Sequence, residues 1–255
     1  MSFEIVTIPC LEDNYAFLLA SRGNAAVVDV PEAAPILSEI VARGLTVTDI
    51  LLTHHHADHV QGLDELKAGI GGEVRVVGAA ADMQRLPPLD LAVADGDRFE
   101  LLGAEATALD VSGHTVGHIA FHVPAAQVAF TADSLMALGC GRVFEGTMEQ
   151  MWASLCKIAE LPGDTTICSG HEYTESNGRF AITIEPDSPE LLERIAQITE
   201  ARAKGEPTVP SLLSEELATN PFLRSGIAEI KSGLGMSGAS DAEVFGEIRR
   251  RKDAF

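Results

Sequence analysis

The sequence is poor in basic residues and in aromatic residues, and it contains no long apolar run. Its 255 residues include 18 Lys and Arg against 38 Asp and Glu, which gives a formal net charge of −20. Binding to a nucleic-acid backbone or to an anionic membrane surface depends on clustered Lys and Arg. No segment approaches the ~18 consecutive apolar residues of a membrane span. We therefore expect neither nucleic acid nor a membrane as a partner.

Cysteine is also scarce, with four residues and no Cys-x-x-Cys pair. The first residues, MSFEIVTIPCLEDNY, contain early acidic residues and no basic stretch ahead of an apolar one, so they do not resemble a signal peptide. Disulfide frameworks are typical of secreted chains. We expect reduced thiols in a cytoplasmic, monomeric protein.

The predicted secondary structure changes near Tyr173. Up to residue 172, short stretches rich in Val, Ile and Phe alternate with helical patterns, which is typical of an α/β domain. Beyond that point strand signals nearly vanish and amphipathic patterns predict helices over Pro189–Lys204, Ser211–Ala218 and from Ser240 to about Lys252. The sequence therefore predicts an α/β domain over residues 1–172 and a small all-α domain over residues 173–255.

Three local patterns in the first domain give sharper predictions. Apolar residues at helical spacing predict a helix over Glu32–Arg43 that Gly44 ends. A second helix is predicted over Val60–Ile70. Thr147 and Gln150 form a capping box, which predicts that a helix begins there and continues to about Glu160.

Four of the eight histidines lie within one short run, THHHADH. It follows a predicted strand, and in a nearly extended turn residues i and i+2 point the same way. His54 and His56 can therefore bind one metal ion, whereas His55 must point elsewhere. Asp58 and His59 begin the next helix and can face a second metal ion. A solvated His-rich turn is the alternative, which the added Asp-His pair disfavours.

The remaining ligands of such a site would come from loops distant in sequence. Three candidates, His114, Asp133 and His171, follow strand patterns as active-site residues often do. Taken singly, each residue is more often a structural hydrogen-bonding group. A carboxylate such as Asp133 can bridge two cations, as a two-metal hydrolase requires. Imidazole and carboxylate ligands together suit zinc, iron and manganese.

These motifs resemble a known family. The segments THHHADH, GHTVGH and FTADSL resemble the metallo-β-lactamase superfamily. The segments IPCLEDNY, GCGRVFEGT, GHEYT, NPFLR and RKDAF resemble the glyoxalase II (hydroxyacylglutathione hydrolase) family within it, and they extend over nearly the whole chain. The resemblance implies an αββα sandwich followed by a small all-α substrate-binding domain. It also implies hydrolysis of S-D-lactoylglutathione to D-lactate and glutathione.

The resemblance implies a role for each matching residue. It implies two divalent metal ions, with zinc first and iron or manganese as alternatives. It places His54, His56 and His114 on one ion and Asp58, His59 and His171 on the other, with Asp133 bridging them. Asp58 would also orient the metal-bound hydroxide as a catalytic residue. Four residues would contact the glutathione moiety: Arg142, Tyr173, Arg249 and Lys252. Arg249 and Lys252 are at i and i+3, so they share a helix face.

The sequence departs from the family at two positions. Ala57 replaces a bulky aromatic residue, and Ala there is familiar in the related persulfide dioxygenases, which use one iron ion. Phe144 replaces a Tyr found in some members. Two alternatives to the hydrolase stay open: a mononuclear-iron persulfide dioxygenase acting on glutathione persulfide, and a non-catalytic metal-binding protein. The GHEYT and NPFLR segments favour the hydrolase, because the dioxygenases lack them.

Overall fold

The computed structural model describes residues 2–255, and the chain divides into two compact units. The first unit comprises the described part of Met1–Asp110 together with Val116–Ala132. The second comprises Val111–Thr115 together with Asp133–Phe255. The predicted domain boundary between residues 172 and 173 stays a prediction.

The described residues of the first unit form two sets of strands. Six strands form a sheet in the order β1 (Glu4–Cys10), β2 (Asn14–Ser21), β3 (Asn24–Val28), β4 (Thr46–Leu51), β5 (Arg75–Ala79) and β6 (Leu91–Val93). The first three strands are antiparallel and β3 to β6 are parallel. Four antiparallel strands form the second set: β7 (Arg98–Leu101), β8 (Ala104–Asp110), β9 (Ile119–Val123) and β10 (Val128–Ala132).

The core of the first unit lies between these two sets. Phe17 on β2 packs against Phe130 on β10, with ring centroids 5.9 Å apart. All eight residues of β2 are buried, as expected for a strand covered on both faces. Removing a side chain such as that of Phe130 from this core would cost about 3–5 kcal/mol.

The helices of the first unit are α1 (Ala33–Arg43), α2 (Ala57–Val60) and α3 (Leu63–Ile70). The structure confirms the prediction for α1, and Gly44 at its C-terminus adopts φ 63°, a left-handed conformation that suits glycine.

The helix predicted over Val60–Ile70 is confirmed over Leu63–Ile70 and wrong at its start, because the helical conformation is interrupted between α2 and α3. Gly62 N donates to Val30 O at 2.9 Å. A Cβ on Gly62 would lie 3.0 Å from Val30 O and from Ala33 N. The chain therefore passes directly against neighbouring backbone at this glycine, and that contact interrupts the helix.

The second unit is mainly helical within the residues described. Its helices are α4 (Met148–Ala159), α5 (Thr174–Ile184), α6 (Pro189–Ala203), α7 (Leu213–Thr219), α8 (Ala228–Gly233) and α9 (Asp241–Ala254). Its short strands are β11 (Leu135–Met136), β12 (Gly139–Cys140), β13 (Thr166–Ser169) and β14 (Ser211–Leu212).

Two capping boxes in this unit confirm the predicted helix starts. Thr147 caps α4 with Gln150, and Ser240 caps α9 with Glu243. The helix predicted over Ser211–Ala218 is wrong at its start, because its first two residues pair with β13 as the strand β14. Helix α5 was not predicted.

Aromatic and aliphatic side chains hold the helices of this unit together. Trp152 of α4 packs against Phe245 of α9 with ring centroids 5.9 Å apart. Phe180 of α5 packs against Phe222 at 6.1 Å. Among residues 2–255, no helix has the length and apolar character needed to cross a membrane.

Candidate metal centre

In the first unit, the turn between β4 and α2 carries three consecutive histidines. His54 Nε2 lies 3.1 Å from His56 Nδ1. Two nitrogens that share one tetrahedral zinc ion lie about 3.3 Å apart, since each zinc–nitrogen distance is about 2.0–2.1 Å. The two side chains are therefore spaced to share a metal ion. His55 points away and places its Nδ1 2.8 Å from Asp82 Oδ2.

A buried carboxylate, Asp29, sets the orientation of two of these histidines. Its Oδ2 lies 2.8 Å from His59 Nδ1, and it accepts a hydrogen bond from Thr53 Oγ1 at 2.8 Å. Because a carboxylate only accepts, His59 Nδ1 carries the proton and its Nε2 presents a lone pair. Thr53 Oγ1 in turn lies 3.0 Å from His54 Nδ1. The hydroxyl donates to Asp29, so it accepts from His54, which also presents Nε2.

Asp58 lies at the start of α2 and is held by a side chain from β2. Asn14 Nδ2 donates to Asp58 Oδ2 at 3.0 Å and to its backbone oxygen at 3.1 Å. The same Oδ2 lies 3.7 Å from His59 Nε2. A carboxylate oxygen and an imidazole nitrogen from consecutive residues therefore converge.

Two further histidines of this unit, His118 and His122, are outside the predicted ligand set. His118 is buried, and its ring stacks on His54 with centroids 4.6 Å apart and an interplanar angle of 13°. His122 lies on β9, where burial lowers its pKa.

The second unit brings together the three candidates from distant loops. Asp133 Oδ2 lies 3.4 Å from His114 Nε2 and 3.3 Å from His171 Nε2. His114 Nδ1 lies 2.8 Å from the backbone oxygen of Arg142, which can only accept, so Nδ1 carries the proton. The ring of His171 stacks on Tyr173 with centroids 4.7 Å apart. One carboxylate oxygen therefore lies between two imidazole nitrogens.

Gly141 permits this arrangement. A Cβ at this position would lie 2.0 Å from Asp133 O and 3.0 Å from His114 Nδ1. Only a residue without a side chain lets the backbone pass this close to both groups.

Two of the predicted glutathione contacts share one carboxylate in the second unit. Asp253 Oδ1 accepts from Arg142 Nε at 3.2 Å and from Arg249 Nη2 at 2.9 Å. The side chain of Arg142 is 56% exposed, whereas that of Arg249 is only 5% exposed. Arg249 also donates to Cys140 O at 2.8 Å and lies 5.0 Å from the ring centroid of Phe222. The guanidinium of Arg249 is therefore already engaged within the fold.

Lys252 lies one turn after Arg249, against aromatic rings. Its Nζ lies 5.4 Å from the ring centroids of Phe180 and Phe255 and donates to Ser176 O at 3.2 Å. Burial, with the neighbouring Arg249 charge, lowers the pKa of Lys252 to about 8.

Sequence reasoning missed the carboxylates that support these groups. No role was predicted for Asp29, Asp82 or Asp253. Asp29 carries a readable signal, because it is an acidic residue directly after the buried strand β3. Asp253 carries another, since it lies four residues after Arg249 on one helix.

Comparison with known proteins decides the family. A model of the metallo-beta-lactamase superfamily matches residues 12–171, and a model of the hydroxyacylglutathione hydrolase C-terminus matches residues 172–255. The hydroxyacylglutathione hydrolase of Ruegeria pomeroyi is 62% identical over 100% of both chains. That of Cereibacter sphaeroides is 60% identical over 100% of both chains. The chain belongs to the hydroxyacylglutathione hydrolase family. The family predicted from the motifs is confirmed.

Solved structures confirm the predicted fold. ETHE1 from Myxococcus xanthus matches with a TM-score of 0.65 at 22% identity, over 98% of this chain and 90% of its own. The BLEG-1 B3 metallo-beta-lactamase matches with a TM-score of 0.65 at 20% identity, over 86% of this chain and 99% of its own. The protein therefore has the metallo-β-lactamase fold with a C-terminal helical region. Family membership and the imidazole and carboxylate groups together support divalent-metal binding.

Proposed function

We propose that this protein hydrolyses the thioester of S-D-lactoylglutathione, and of related 2-hydroxyacylglutathiones, to D-lactate and glutathione. The observation that carries the proposal is the full-length 62% identity to a hydroxyacylglutathione hydrolase. The His and Asp groups of both units support it, because they are the ligand types that a metal-dependent hydrolase needs.

We propose that two divalent metal ions, zinc first and iron or manganese as alternatives, are bound by seven residues. The ligands would be His54, His56 and His114 for one ion and Asp58, His59 and His171 for the other, with Asp133 bridging. The donor set fits this role, because three of the five histidines are anchored through Nδ1 and present Nε2. His56 differs, since its Nδ1 is the nitrogen beside His54 Nε2.

The side chains of this protein would act on the substrate in distinct ways. Bound divalent metal supplies Lewis acidity towards water and towards the thioester carbonyl. Asp58, held by Asn14, would orient the attacking water as the catalytic carboxylate. The leaving group is a thiolate whose thiol has a pKa near 8.5, so it departs without a general acid.

We propose that four residues form the binding site of the glutathione moiety: Arg142, Tyr173 and Lys252 by contact with it, and Arg249 chiefly by support from within the fold. Arg142 and Lys252 offer cationic groups suited to the carboxylates of glutathione. Tyr173 is partly exposed beside His171. Arg249 is buried and bonded to Cys140 O, so it contributes mainly by fixing Asp253 and the end of β12.

The proposed organisation has a metal-binding domain over residues 1–172 and a helical substrate-binding domain over residues 173–255. The boundary between the two matching family models supports this division. Glutathione is the thiol buffer of the cytosol, so we place the reaction in the cytoplasm. Separately, we propose that the protein acts as a monomer.

Product analysis tests the proposal. Zinc-loaded protein should release glutathione and D-lactate from S-D-lactoylglutathione in equal amounts, measured with a thiol reagent and by chromatography. Oxygen consumption with glutathione persulfide by protein that holds one iron ion would support the dioxygenase instead. Retained metal with no turnover on any thioester would support a non-catalytic metal-binding protein.

A further inference from the structure

A buried carboxylate outside the proposed ligand set supports the histidine turn. Asp82 is 0% exposed, and its two oxygens bond different partners. Its Oδ2 lies 2.8 Å from His55 Nδ1, and its Oδ1 accepts from Arg85 Nε. Since a carboxylate only accepts, His55 Nδ1 carries the proton. His55 lies between His54 and His56 in the chain, so this bond holds the turn from which both side chains project.

A second connection joins the same carboxylate to His54 through a different segment. Arg85 Nη2 donates to Val116 O at 2.7 Å. A Cβ at Gly117 would lie 2.9 Å from the Cβ of Asp82, so this segment passes directly against the carboxylate-bearing residue. The next residue, His118, stacks on His54. Asp82 therefore supports the turn in two ways: it bonds His55 directly, and it holds the segment that places His118 against His54.

We propose that Asp82 is a positioning residue that, through His55, holds His54 and His56 at the spacing of metal ligands. The inference rests on the proposed function for the identity of those ligands. The 3.1 Å between His54 Nε2 and His56 Nδ1 requires a fixed backbone across the residue between them. Outer partners of metal-binding groups commonly change metal affinity by roughly tenfold to a hundredfold. Asp82 acts on the ligands through one intervening residue, His55, so we expect metal affinity to change by about tenfold, the lower end of that range.

Zinc affinity of metal-free protein tests the inference directly. We expect Asp82→Asn to weaken zinc binding about tenfold in competition with a chromophoric chelator at pH 7. His55→Ala should weaken it no more than Asp82→Asn does, because it leaves the bond between Asp82 and Arg85 in place. The double variant should match Asp82→Asn, since that substitution already removes the bond to His55. Asp49→Asn is the matched control, because Asp49 is a buried carboxylate of the same unit that pairs with Arg75. It should lower the melting temperature of the metal-free protein and leave zinc affinity unchanged.

Two results would overturn the inference: unchanged zinc affinity in Asp82→Asn, or additive losses in the double variant. If Asp82→Asn fails to fold, His55→Ala decides alone, because His55 is only half-buried and its substitution leaves the core intact. Unchanged zinc affinity in that variant would refute the role of Asp82. Thioester turnover by the unaltered protein is measured separately, so loss of the proposed function would be distinguishable from loss of this inference.

Discussion

Replacing Asp29 by Asn should weaken zinc binding without disturbing the backbone. Asp29 has φ 56°, and Asn tolerates this left-handed conformation as well as Asp does. Asp29 Oδ2 accepts from His59 Nδ1 and from Thr53 Oγ1, and Asp29 Oδ1 accepts from Thr53 N. The amide NH2 of Asn therefore replaces an acceptor at whichever position it takes. If the amide donates to His59 Nδ1, the proton moves to Nε2, the nitrogen that we assign to the metal ion.

The size of the effect follows from this change of tautomer. Loss of an outer partner of a metal-binding His commonly weakens metal affinity by roughly 10- to 100-fold, or about 1.4 to 2.7 kcal/mol. His54 depends on the same carboxylate through Thr53, so we expect the upper half of that range. The KM for acyl-glutathiones should not change once zinc is saturating, because Asp29 bonds Thr53 and His59, neither of which is a proposed substrate-binding residue.

Chelator competition measures the zinc affinity of Asp29→Asn, and turnover at saturating zinc gives the KM. Asp49→Asn serves again as the control, since it removes a buried carboxylate that bonds Arg75 and not a histidine. Zinc affinity of Asp29→Asn equal to that of the control would refute the reasoning.

The other predictions concern the ligands, the glycine beside them and the substrate cations. His56→Ala should lose zinc and thioesterase activity together, measured by elemental analysis and thiol release; activity without zinc would contradict the assignment. Gly141→Ala should lower both the zinc content and the melting temperature, because its Cβ would collide with Asp133 O; a normal zinc content would count against the close contact. The KM should rise as pH rises through about 8, where Lys252, whose pKa is lowered to about 8 by burial, loses its charge. Lys252→Arg should abolish that rise; a rise that persists would assign it to another group.

Much of the first histidine cluster could be predicted because its geometry is local. An extended turn alternates its side chains, and the structure shows His55 turned to Asp82 while His54 and His56 approach each other. The starts of α4 and α9 could also be predicted from sequence, because a capping box depends only on two residues three positions apart.

The errors arose where tertiary contacts override local patterns. The pattern across Gly62 is helical, but the close approach of Val30 breaks the helix, and no local signal reports that approach. Ser211 and Leu212 precede a helical pattern, yet their backbone pairs with β13, which lies about 45 residues earlier in the chain. Both outcomes depend on partners that are distant in sequence.

The supporting carboxylates could not be assigned from sequence for the same reason. Asp29 reaches His59 across 30 positions, and Asp82 reaches His55 across 27. Arg249 is the opposite case. Helical spacing predicts that it shares a helix face with Lys252, but only the fold shows that its guanidinium is buried and bonded to Cys140 O.

A zinc titration of metal-free protein, followed by the rate of glutathione release from S-D-lactoylglutathione, tests the central claim most directly. We predict that the rate rises with added zinc and reaches a plateau at about two ions per chain. Adding a chelator should then return it to the background level. A full rate of thioester hydrolysis in protein that retains less than about a tenth of an ion per chain would contradict the account.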